Sequence, residues 1–169
     1  PDFRGRQLDD DLIMDDVNLG EFAEGEGEDT YGHGTAIAGI IWKVAPETGI
    51  TSFRVLGPKL AGRTAQVWLA ANEAITRGFH IINCGFACGI SGHLSLYKEW
   101  TDRALLKGVH VVAASHGEEP EWPAHFASVL AVDYAESEMD EDQISYSEGR
   151  MVGFTAAPDG EVPWKDGTH

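Results

Sequence analysis

The chain has 169 residues, and its 12 Lys and Arg against 28 Asp and Glu give a formal charge of −16. That length suits one domain with a substantial core. The acidic balance excludes a nucleic-acid partner, because nothing could neutralise phosphates along a backbone, and it leaves no basic patch for an anionic membrane surface.

Hydrophobic residues at 43% and charged residues at 24% fit a globular chain rather than a disordered one. Cys84 and Cys88 are too few for a disulfide framework and lack the second pair of a four-ligand zinc site. No apolar run approaches the ~20 residues needed to span a bilayer. The opening Pro1-Asp2-Phe3-Arg4-Gly5-Arg6 has no apolar core of a signal peptide. The compartment stays open.

The stretch from Gln7 to Asp29 contains no Lys or Arg and is dense in Asp and Glu. Gly20, Gly25 and Gly27 break any helix there, so residues 7–29 read as an acidic loop region with a short strand near Leu12–Val17. A calcium site in it would need the ordered ligand spacing of an EF-hand, which is absent, and no cofactor is expected.

Ala36–Val44 reads as a buried helix opened by Gly-His-Gly-Thr, and Ile50–Leu56 as a strand. Thr64–Arg77 is predicted as a helix, with Thr64 as N-cap, an apolar stripe of Val67, Ala70, Ala71 and Ala74, and Gly78 as its stop. Phe79–Asn83 is a short apolar strand. Leu94–Lys107 is a helix with Leu94, Tyr97, Trp100, Ala104 and Leu105 on one side. Val109–Ala114 is almost continuously apolar, as a strand buried on both faces requires. Val129–Val132 and Met151–Thr155 read as further strands. Strands alternating with helices of this length give an α/β fold with a mainly parallel sheet. Function in such folds gathers at the carboxyl ends of the strands.

The sharpest local feature is Asp29-Thr30-Tyr31-Gly32-His33-Gly34-Thr35 followed by Ala38-Gly39. A His between two glycines at a helix start is sterically open, and the helix N-terminus favours its neutral ring, which suits a general base. A His that only caps or packs is the structural alternative.

This block resembles the segment around the catalytic His of the subtilisin-like serine proteases. Further blocks match that family in order: Ala45-Pro46, Phe53-Arg54-Val55-Leu56-Gly57, Ile81-Ile82-Asn83, Val111-Val112-Ala113-Ala114, Trp122-Pro123-Ala124, Val129-Leu130-Ala131-Val132, Ile144-Ser145-Tyr146-Ser147, Ala157-Pro158 and Asp166-Gly167-Thr168. The resemblance implies a single partial domain over residues 1–169. Its fold would be a three-layer α/β arrangement with a mainly parallel central sheet flanked by helices, incomplete at both ends. It implies peptide-bond hydrolysis by a Ser-His-Asp set with His33 as the base. It also implies an extended peptide or protein substrate held by two backbone edges, Leu60-Ala61-Gly62 and Gly85-Phe86-Ala87.

The departures are specific. Asp2 belongs to the tail of the segment after the family's acid, so the strand that should carry the triad Asp is not in this chain. The nucleophile position after Gly167-Thr168 is His169, and an imidazole cannot replace a Ser because no stable acyl-oxygen ester forms. The oxyanion side-chain donor falls at about Gly117, which has none, and the neighbouring His116 is not assigned that role. The chain alone is therefore expected to be inactive, and a further segment is a possible partner supplying the missing strand. The alternative is a pseudoprotease that binds or regulates through peptides, basic ones by preference. A cysteine hydrolase built on Cys84 or Cys88 with His33, and a metal site drawing on His33, His116 and His125, are the remaining chemistries; no short ligand spacing supports the second.

Overall fold

A computed structural model of the protein describes residues 10–14, 22–24, 29, 31–57, 59–116, 119–135, 139–140, 143–148, 152–157, 163–164 and 167–168. The chain divides into two compact units, residues 1–67 with 160–169, and residues 68–159.

In the first unit β1 (Asp10–Met14) lies between antiparallel β2 (Phe22–Glu24) and parallel β3 (Thr51–Arg54). The strand covers Leu12–Met14 of the Leu12–Val17 reading and starts two residues earlier, its register against β3 running from Asp10↔Thr51; residues 15–17 lie outside the described residues. Phe22–Glu24, inside the stretch read as loop, is a strand because pairing with β1 satisfies its backbone groups. Helix α1 (His33–Val44) leads towards β3, and the Trp42 indole N–H donates to the Thr48 carbonyl at 2.8 Å behind it.

Helix α2 (Thr64–Arg77) starts in the first unit and continues into the second. Thr64 is already helical rather than the N-cap. The Gln66 side chain accepts from the Arg63 N–H at 3.1 Å, the back-reaching half of a capping box. The stripe Val67, Ala70, Ala71 and Ala74 is buried as its spacing predicts.

The second unit is built on a five-stranded sheet, in the order β4 (Ile81–Cys84), β5 (His110–Ala114), β6 (Val129–Tyr134), β8 (Val152–Ala156), β7 (Ile144–Glu148). Neighbours are parallel except for β7, which runs antiparallel to β8. A mixed, mainly parallel sheet flanked by helices is thus the observed architecture. Helix α3 (Leu94–Leu106) packs on β5. The sheet core is one-sided: Val111, Ala113, Val129 and Ala131 are 2% exposed or less, whereas Val112, Ala114, Leu130 and Val132 are only half-buried.

The buried side of α3 is Tyr97, Trp100, Thr101 and Ala104, while Leu94 and Leu105 are exposed, against expectation. Thr101 can take a buried place because its hydroxyl donates to the Tyr97 carbonyl at 3.0 Å. Arg103 joins α3 to α2 through the Asn72 side-chain oxygen and, at 3.2 Å, the Thr76 hydroxyl. Among the described residues β3 pairs only with β1 and β4 only with β5. No described helix is long and apolar enough to cross a membrane.

Candidate functional site

His33 is the first residue of α1 and half-buried. Its position is set by Gly32, the N-cap, at φ 87°, a left-handed conformation that a side chain strains by about 1–2 kcal/mol. Gly34 is less constrained, because a Cβ there would meet only the Asp29 carboxylate at 3.6 Å, an ordinary contact.

Asp29 organises this turn. One carboxylate oxygen accepts from the Gly32 N–H at 2.8 Å, and the other from the Thr35 N–H at 2.8 Å and hydroxyl at 2.7 Å. Partial burial on its own would raise the Asp29 pKa. The hydrogen bonds from Thr35, Gly32 and Tyr31 outweigh it and hold the carboxyl below its usual value. Sequence reasoning placed Asp29 in the acidic loop and missed this role. The available signal was its place three residues before the helix-opening Gly32, where a negative charge also complements the helix dipole.

The folded state therefore binds the Asp29 proton less readily than the unfolded chain. This contribution is complete above the ordinary carboxylate range and is lost as pH falls through the lowered value. Asp29→Ala is expected to lose about 1 kcal/mol at neutral pH. In urea titrations across pH, the gap between the two proteins should close below about pH 4. A gap independent of pH would refute the assignment.

Leu60 and Gly62 lie in an exposed turn of the first unit. The Leu60 N–H donates to the Gly57 carbonyl and the Gly57 N–H to the Ala61 carbonyl, both at 2.9 Å, and Leu60 takes φ 53°. A Cβ on Gly62 would fall 2.1 Å from the Val55 carbonyl oxygen, so only glycine fits.

In the second unit Gly85, Phe86 and Ala87 follow β4, and Ser115 and His116 follow β5. The parallel register Cys84↔Ala113 brings both segments out at the same, carboxyl end of the sheet. Cys88 and Trp122 exchange two backbone hydrogen bonds of 2.9 Å there. Cys88 Sγ lies 3.9 Å from His93 Nδ1. The Glu121 carboxylate accepts from the His116 backbone N–H and pairs with His116 Nδ1, each at 3.2 Å, while the Glu121 N–H donates to His125 Nδ1 at 3.3 Å. Ser115 Oγ and Trp122 Nε1 are buried without a hydrogen-bond partner among the described residues.

Gly117, His169 and Asp2 lie outside the described residues. No group of three or more described His, Cys, Asp or Glu is placed to hold a metal ion. Cys84 is buried, and burial pushes its thiol up to about 12, which disfavours the nucleophilic thiolate.

The strand order, the parallel ladder and the helices define a subtilisin-like α/β fold. A cold-adapted subtilisin-like serine proteinase matches it with a TM-score of 0.64 at 21% identity, over 81% of this chain and 53% of that one. A lanthipeptide protease matches with a TM-score of 0.62 at 20% identity, over 80% of this chain and 45% of that one. The chain thus spans about half the length of these solved structures. No family model matches it, and no curated protein does.

Proposed function

We propose that this chain carries the His-bearing and peptide-holding part of a subtilisin-type serine endopeptidase domain. The observation that carries the reading is the fold likeness over 81% of the chain, together with a His at the first position of a helix opened by Gly-His-Gly-Thr. The names of both neighbours denote peptide-bond hydrolysis, which favours an extended peptide as ligand.

In this reading His33 is the base that takes the proton of a serine nucleophile and returns it to the leaving amine. Asp29 holds the turn that presents that imidazole. The segments Leu60–Gly62 and Gly85–Ala87 each hold peptide backbone. In the first, the Leu60 N–H and Ala61 carbonyl are committed within the turn, so the ligand is met by the remaining backbone groups, those of Gly62 among them. Chemistry of this type needs only side chains and backbone N–H donors, so no metal or other cofactor is invoked. His33 is the triad member this reading assigns, so turnover calls for an acid and a nucleophile supplied by another segment.

A fluorophosphonate probe read by intact mass tests this. The folded chain is expected to form no adduct. A serine adduct abolished by His33→Ala would place a working nucleophile inside the chain and overturn the inactivity. Peptide binding that never leads to cleavage, even with the segments bearing acid and nucleophile added, would mark a pseudoprotease.

A further inference from the structure

The outer strand of the five-stranded sheet has features that neither His33 nor the peptide-holding segments use. Among the described residues β7 pairs only with β8, in an unbroken register from Ile144↔Ala156 to Glu148↔Val152. Every second residue of such a strand directs its N–H and C=O away from its partner, leaving a template for one more strand. Native sheets block such edges with Lys, Pro or bulges. The β7 sequence Ile-Ser-Tyr-Ser-Glu has no Lys or Pro, and its ladder has no bulge.

The side chains beside this edge are apolar and open. Ile144 is 72% exposed, Tyr146 54% and Tyr134 54%. The register puts Ile144, Ala156 and Tyr134 in one cross-strand row, and Tyr146, Phe154 and Val132 in another row on the same face. The Tyr146 and Phe154 rings are 5.4 Å apart. An added strand would lay alternate side chains along this face and its next ones over Ser145 and Ser147.

Charge selects the occupant. Between Lys107 and Arg150 the sequence has no Lys or Arg, while Asp140, Glu141 and Asp142 lead into β7 and Glu148 ends it. Asp140 is exposed in the turn it forms with Gln143. A second copy of the chain would add a further −16 to the charge of −16 already present.

We infer that β7 is a docking edge for an extended polypeptide segment in which apolar residues alternate with Lys or Arg. The surface lies wholly within residues 68–159 and does not involve His33, so its test is independent of the hydrolase reading.

The test uses the full chain and a fluorescent peptide of about ten residues alternating Val and Lys. Anisotropy is expected to report binding that weakens about tenfold between about 0.05 and 0.5 M salt. Ile144→Lys with Tyr146→Lys should weaken it by at least about tenfold. A Val–Glu peptide should not bind. Hydrogen exchange on the unaltered protein should show slower amide exchange in residues 144–148 on binding, which decides the matter even if the double variant does not fold. Undiminished affinity in a folded double variant, equal affinity for the Val–Glu peptide, or protection only elsewhere each overturns the proposal. So does a concentration-dependent dimer that the double variant abolishes, because a second copy would then be the occupant.

Discussion

Gly62→Ala is expected to destabilise the protein by more than about 3 kcal/mol, read as a lower denaturant midpoint. The new methyl would lie 2.1 Å from the Val55 carbonyl oxygen, 3.2 Å from the Val55 carbonyl carbon and 3.0 Å from Leu56 Cδ2. Leu56 could rotate, but the Val55 backbone cannot move without disturbing the end of β3. The matched control is Gly57→Ala, whose Cβ would meet the Ala61 carbonyl oxygen at 3.5 Å, an ordinary contact. That variant should stay within about 0.5 kcal/mol of the parent. Equal stability of the two variants would show that the close approach does not exist. The same approach fixes the turn assigned to peptide, so Gly62 joins stability to the proposed binding role.

The two cysteines should differ in alkylation rate by at least about a thousandfold at pH 8. Cys84 is 3% exposed and its thiol is pushed up to about 12 by burial. At pH 8 only about one molecule in ten thousand would carry that thiolate, against roughly a quarter for an ordinary exposed thiol. Cys88 is half-buried with His93 beside it, and should react in the native protein. Peptide mapping after a timed iodoacetamide pulse separates the two sites, and denaturant should remove the difference. Prompt native labelling of Cys84 would reopen the cysteine-hydrolase chemistry that its burial argues against.

Helices with a clear period and a stop signal were legible from local pattern. Thr64–Arg77 appears with its predicted bounds, because its stripe of Val and Ala needs only one face to bury and Gly78, at φ 79°, ends it. Strands β5, β6 and β8 were legible as apolar runs, since central parallel strands carry little polar interruption. β2 and β7 were not read as strands. Phe22–Glu24 is short and set among acids and glycines, and becomes a strand through its partner, a long-range property. Ile144–Glu148 carries the apolar–polar alternation of a half-buried strand, a local signal present in the sequence.

The candidate site divides the same way. The Gly-His-Gly-Thr run identified His33 and its helix start, because the conformational need for Gly32 is local. The Asp29 anchor, the Glu121 contacts to His116 and His125, and the proximity of Cys88 to His93 depend on how loops fold back, which no periodicity encodes.

By itself the sequence determined the α/β class, the acidic charge and the helix-borne His. These follow from composition, local backbone preference and residue identity. The tertiary structure alone decided which glycine meets backbone at close range, which cysteine is buried and which strands end the sheets among the described residues. Those depend on distances and burial between residues far apart in the chain.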